Sequence, residues 1–187
     1  MLNFKSISHW NREILIKSIE TYSTPFSEEQ KFISPFLELL KDQNAFQRTH
    51  LPGHITGSAW ILNKERTQTL LVHHAKLNKW VQPGGHADGD ENILAVALKE
   101  AEEETGLKNF TINPLLFDID IHTIPARKDF REHQHYDIRF LLTGDVDERI
   151  IVSDESHDVK WIALSELEKY TIERSVLRMK DKLLRTS

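Results

Sequence analysis

Glu100, Glu103 and Glu104 stand at i, i+3 and i+4 in a stretch that opens with Gly84-Gly85-His86 and closes with Gly106-Leu107. On a helix turning about 100° per residue, the three carboxylates fall within an arc of about 100°, and Leu94, Ala97, Leu98 and Ala101 fill the adjacent arc. Like charges at this spacing repel by about 0.2–0.5 kcal/mol per pair on an isolated helix. A compensating cation is therefore expected. A hard divalent ion, Mg²⁺ or Mn²⁺, suits an all-oxygen donor set and leaves positions for water and phosphate oxygens. The plain alternative is a solvated acidic helix face. Against it stands the conjunction of the glycine pair, the turn Asp88-Gly89-Asp90 and the acid face. Asp90 is the expected cap of a helix starting at Glu91, and Gly106 its left-handed end.

The same stretch resembles the signature of the Nudix hydrolases: Gly, five residues, Glu, seven residues, then Arg-Glu-aliphatic-any-Glu-Glu-any-Gly-aliphatic. Gly85, Glu91, Glu100, Ala101, Glu103, Glu104, Gly106 and Leu107 match it, and Lys99 takes the place of the Arg. Lys keeps the charge but loses the planar fork that holds a carboxylate bidentately. The resemblance runs over about residues 50 to 170, including the ending Asp154 to Trp161 followed by Leu164-Ser165-Glu166-Leu167. It implies a Mg²⁺- or Mn²⁺-dependent attack of water on phosphorus in a diphosphate linkage, usually of a nucleoside diphosphate derivative. The resemblance places the metal on Glu100, Glu103, Glu104 and the Gly84 carbonyl. Glu100 is the first choice of general base, with Glu155 of the later acidic loop the next candidate, ahead of Glu132. Gly85, Glu91, Lys99 and Gly106 take structural roles, Glu91 pairing with Lys99 or another cation.

Outside this box, His86 follows the glycine pair and is placed to reach a phosphate, or else to bond backbone. Arg127, Lys128, Arg131, His133 and His135 lie on an expected loop between Ile121 and Tyr136, the densest basic segment of an acidic chain. Arg127, His133 and His135 are the expected substrate contacts there, the alternative being a solvated hairpin tip. His73 and His74 are adjacent, so only one faces either side of a strand, and neither is assigned to catalysis. Asp118, Asp120 and His122 alternate with Phe117, Ile119 and Ile121, the pattern of a strand with one solvated face.

These residues need elements to hold them. Two N-terminal helices are expected, around Ile7 to Ile19 and from a capping box at Ser27-Glu28-Glu29-Gln30, the second kinked or split by Pro35. Strands are expected at Ile55–Leu62 and Thr69–Val72 around an Asn63 to Gln68 turn, and at Trp80–Gln82. Further strands follow at Leu115–Ile121, Tyr136–Leu142, near Ile150–Val152, and at Val159–Ala163. A short helix opens at Ser165 and another spans Glu173–Leu184. Without a regular βαβ repeat, this order predicts an α/β protein. Together with the resemblance it gives a Nudix fold, a mixed β-sheet α/β/α sandwich, with an N-terminal helical extension (1–50) on a single domain (51–187).

At 187 residues, with 39% hydrophobic and 28% charged residues, the chain can bury a core without staples. It has no Cys, which excludes disulfides, thiolate metal sites and a Cys nucleophile. It also disfavours isopentenyl diphosphate isomerase, a Nudix-fold enzyme that relies on Cys. A net charge of −5 argues against a general nucleic-acid surface. No long apolar run or leader-like N-terminus is present, so a cytoplasmic protein acting on a small diphosphate, with a homodimer as one possible assembly, is expected. The remaining alternative is a non-catalytic Nudix-like ligand-sensing module, although such modules usually lose box carboxylates and none is missing here.

Overall fold

A computed structural model describes residues 10–126 and 130–185, and within them a mixed sheet between two helical layers. Strand β1 (Gly53–Leu62) is its axis and is buried along its whole length. One edge of β1 pairs in parallel with β6 (His133–Thr143), from Gly53 opposite Gln134 to Leu62 opposite Thr143. The other edge is shared. Thr56 to Ser58 pair antiparallel with β4 (Gly84–His86), and Ile61 and Leu62 with β2 (Gln68–His74). Beyond β2 lie β3 (Lys79–Val81) and β7 (Ser156–Ala163), and beyond β6 lies β5 (Thr111–Ile124).

Alternation along β1 divides its side chains between the two layers. Ile55 points into a core shared with helices α1 (Arg12–Glu20), α2 (Ser27–Leu39) and α3 (Ile93–Thr105), through Leu15, Ile19, Phe36, Leu94 and Ala97. Ala59 and Ile61 meet Ala101 and Leu107 on the same side. Trp60 and Leu62 point the other way, against Leu167 of a 3₁₀ turn (Leu164–Lys169) and Val176, Met179 and Leu183 of α4 (Arg174–Arg185). The N-terminal helices are thus part of the main core.

Several sequence expectations need correction. Helix α2 starts at Ser27 as expected, but its cap position is Phe26 and no side chain caps it. Thr24 does the tying instead: its hydroxyl donates to Glu29, and its carbonyl accepts from Gln30 Nε2 at 2.9 Å. Pro35 does not split the helix. The cap of α3 is Asn92, whose Oδ1 accepts from Ala95 N at 3.2 Å, whereas Asp90 closes the preceding turn by accepting from Asn92 N. Residues 150–152 form no strand; Ile151 N donates to the Thr105 carbonyl at the end of α3. His133 and His135 belong to β6 rather than to a loop. Asp118 and Asp120 are not solvated: Asp118 is fully buried, and both receive hydrogen bonds from Arg178 of α4.

Candidate active site

Helix α3 presses Leu94, Ala97 and Ala101 into the core and leaves Glu100, Glu103 and Glu104 beside them, facing β4. Its end is the expected left-handed Gly106, with φ of +80°. The glycine pair in β4 is required by close approach. A Cβ on Gly84 would lie 2.0 Å from Ser58 Oγ, and one on Gly85 would lie 2.6 Å from the carboxyl carbon of Glu100. With neither present, Gly84 N donates to Glu104 Oε2 at 2.9 Å and the backbone of β4 lies against the Glu100 carboxylate.

The electrostatics of this pocket are those of excess negative charge. Burial pushes the Glu104 carboxyl up to about 8; the Gly84 N–H opposes this, and Glu100, Glu155 and Glu103 add to it. Glu100 is likewise raised by burial, with Lys99 opposing and Glu103, Glu155 and Asp88 reinforcing. Glu155 is therefore close enough to act on both box carboxylates, from the turn before β7, where its carbonyl accepts from Ala75 N at 2.9 Å. The nearby cations are partly committed elsewhere. Arg48 forks onto Asp88, and Lys99 is exposed, 3.5 Å from Glu103 and 4.0 Å from Glu100. Hard oxygens held apart from sufficient positive charge are the donor set that Mg²⁺ or Mn²⁺ takes, and Glu100, Glu103 and Glu104 fit such an ion.

Glu91 does not use Lys99. It accepts from Arg12 Nε at 2.8 Å, and the same guanidinium donates to the carbonyls of Leu40, Asp42 and Gln43 at 3.0, 2.6 and 2.9 Å. The cation that pairs with Glu91 comes instead from the first N-terminal helix, through a single bond from Arg12 Nε. His86, His133 and His135 are brought together, but with one another and with His54 rather than with the glutamates. Arg127 lies outside the described residues. His73 stacks on Trp80 and reaches Asn78 Oδ1 at 3.0 Å.

Sequence reasoning missed Arg12, Arg48, Ser58 and His54. Each makes contacts across 20 or more residues of sequence, where helical or strand periodicity carries no signal. Only the count of ten His hinted at a cluster.

Residues 53–181 match the NUDIX domain family. Among curated proteins, a probable DHNTP pyrophosphohydrolase of Lactococcus lactis is 29% identical over 132 residues, spanning 70% of this chain and 78% of that protein. An asymmetrical bis(5'-nucleosyl)-tetraphosphatase of Rattus norvegicus is 29% identical over 104 residues, 51% of this chain and 59% of that protein. Among solved structures, a C. elegans Ap4A hydrolase binary complex superposes with a TM-score of 0.56 at 19% identity, covering 71% of this chain and 98% of the other. A NUDIX family hydrolase from Clostridium perfringens gives a TM-score of 0.53 at 25% identity, covering 72% and 98%.

Proposed function

The chain belongs to the NUDIX family and is a Nudix-type pyrophosphohydrolase; from that premise we propose that it hydrolyses a diphosphate linkage in a nucleoside diphosphate derivative or related organic diphosphate, with Mg²⁺ or Mn²⁺ as cofactor. The observation that carries the reading is the crowded acid face of α3, where Glu104 is held against Gly84 N with its carboxyl pushed up to about 8. Glu100, Glu103, Glu104 and the Gly84 carbonyl would hold the ion. Bound there, it would neutralise the diphosphate and lower the pKa of a coordinated water.

The chain's own part is positioning and proton handling. Glu100, half-buried and raised chiefly by that burial, is the proposed base that accepts the proton of the attacking water, with Glu155 the second candidate. The bond from Gly84 N fixes the rotamer of Glu104. The pair Arg12–Glu91 holds the entrance of α3 against α1 and α2, so the acid face keeps its register on β4. The polar floor beside Gly84 consists of Ser58 and Thr56, whose hydroxyls donate to Asp137 at 2.7 and 3.0 Å.

The names of the relatives, a dihydroneopterin triphosphate enzyme and a dinucleoside tetraphosphatase, direct the choice of substrates to test. Chromatography of the products from nucleoside triphosphates, dinucleoside polyphosphates, dihydroneopterin triphosphate, ADP-ribose and nucleotide sugars should find at least one split with Mg²⁺ into two phosphorylated products, pyrophosphate being one of them for a triphosphate. Exhaustive chelation should abolish that turnover. Activity that persists without any divalent ion would overturn the metal assignment. Tight binding of a diphosphate with no turnover of any member of the panel would favour the ligand-sensing module instead.

A further inference from the structure

His54, His86, His133 and His135 come from three strands, β1, β4 and β6, and converge so that one ring nitrogen of each lies within 4.8 Å of those of the others. Register puts them there. His54 is opposite His135 in the parallel β1–β6 pair, His133 is two residues before His135, and His86 is opposite Thr56 in the β1–β4 pair. By alternation His54 shares its sheet face with Thr56 and Ser58, so the cluster continues the polar floor beside Gly84. His54 and His133 are buried, His86 and His135 half-buried.

The hydrogen bonds orient these rings outward from one nitrogen and inward from the other. His133 Nδ1 lies 2.8 Å from the Arg131 carbonyl and His54 Nδ1 lies 3.3 Å from the His50 carbonyl. A carbonyl only accepts, so in both rings Nδ1 is the donor and Nε2 is the nitrogen left to bind a ligand. His133 Nε2 meets another ring of the cluster. His54 Nε2 is buried with no hydrogen-bond partner, and His133 Nε2 is 3.3 Å from His135 Nε2. Backbone carbonyls that fix the tautomer of an imidazole in this way are the usual outer support of a metal ligand. Burial lowers His54 to about 4 and also lowers His86 and His135.

We propose that His54, His86, His133 and His135 form a four-imidazole site for a borderline divalent transition-metal ion, Zn²⁺ foremost, distinct from the carboxylate site on α3. Nitrogen ligands about 2.05 Å from a tetrahedral Zn²⁺ are about 3.3 Å apart, the separation already present between His133 and His135. The remaining nitrogens, at up to 4.8 Å, need a small contraction, which the ion would draw in. Imidazole selects Zn²⁺ over the hard Mg²⁺ expected on the glutamates. Four protein ligands close the coordination sphere, so the ion is structural and clamps the start of the β1–β6 pair to β4, the strand that carries Gly84 and Gly85. The proposal does not depend on the hydrolase reading, because it concerns metal content and not turnover.

The test uses the full chain freed of any affinity tag and dialysed in excess Mg²⁺. Elemental analysis should find about one Zn²⁺ per chain. Co²⁺ bound in its place should give the intense visible absorption of a tetrahedral site. Melting temperature should rise with added Zn²⁺. His135→Gln and His86→Gln should each weaken Zn²⁺ binding by roughly 100-fold, while Glu103→Gln should leave it unchanged. If His135→Gln fails to fold, His86→Gln and the Co²⁺ spectrum of the unaltered protein decide. Zn²⁺ that is absent or weakly held, octahedral Co²⁺, or Zn²⁺ lost on Glu103→Gln and kept on His86→Gln would each overturn the site.

Discussion

Glu103 and Glu104 sit on one helix face but in different surroundings, and the two should respond differently to substitution. Glu103 is more than half exposed and paired only loosely with Lys99. Glu103→Gln removes one like charge, so melting temperature should hold or rise slightly while kcat falls about 10²–10⁴-fold. Parallel thermal melts and turnover assays check this; joint loss of both would make the acid cluster structural. Glu104 is buried, and in the metal-free protein it keeps its proton to about pH 8, against an ordinary value of 4.5. The folded state therefore binds more protons than the unfolded chain between those values. Metal-free stability should fall as pH rises from about 4.5 to about 8 and then level off. Added Mg²⁺, which needs the ionised carboxylate, should stabilise more at the upper end of that window. Denaturation of wild type and Glu104→Gln across pH checks this, and an unchanged slope in the variant would refute it. At this scale the glutamates were legible because helical periodicity is local. Asp118 and Asp120 were not. A polar residue on alternate strand positions reads the same whether it faces water or a counter-ion, and here Arg178, Arg139 and Lys182 take the place of water.

Among the elements, α1 has a task its sequence did not announce. Arg12 ties the end of α2 to the entrance of α3 through three carbonyls and Glu91, with its guanidinium 4.9 Å from the centre of the Phe46 ring. Arg12→Ala should cost about 1–3 kcal/mol, through the part-buried Leu40 carbonyl it leaves unpaired and the lost packing on Phe46. The half-exposed pair with Glu91 adds at most about 1 kcal/mol. Urea unfolding measures the cost. Arg12→Lys should recover only part of it, since an ammonium cannot reproduce the fork. Element existence was legible nearly throughout, because strand alternation and helical spacing act within a few residues. Ends were less so. Asn92 caps α3 where Asp90 was expected because the left-handed Asp88 and Gly89 carry the chain one turn further before the helix starts. The strand expected near Ile150 has the right apolar residues, but Ile151 bonds the end of α3 and finds no neighbouring strand.

For the molecule as a whole, the layer under α4 is held by charge as much as by apolar contact. Arg178, almost fully buried, donates to Asp118, Asp120 and the Ile119 carbonyl, and Arg139 donates to Asp137 and Asp118. Arg178→Met would leave carboxylates buried with too few cations and should cost about 3–5 kcal/mol. Chemical denaturation of this variant checks it; a loss below about 1 kcal/mol would mean that the network is solvated. The parallel join of β1 to β6, which brings Thr56 and Ser58 to Asp137, links segments some 80 residues apart and could not be read from local pattern. Lys182 extends the network further, bonding Glu29 and Tyr22 of the N-terminal region as well as Asp118. Glu29 precedes its lysine by 153 residues. On a ribosome adding about 5–20 residues per second, that interval is roughly 8–30 s. During it the acid of α2 has been made and Lys182 has not, so this buried pair closes only once α4 has been synthesised, and the order of translation delays completion of this layer.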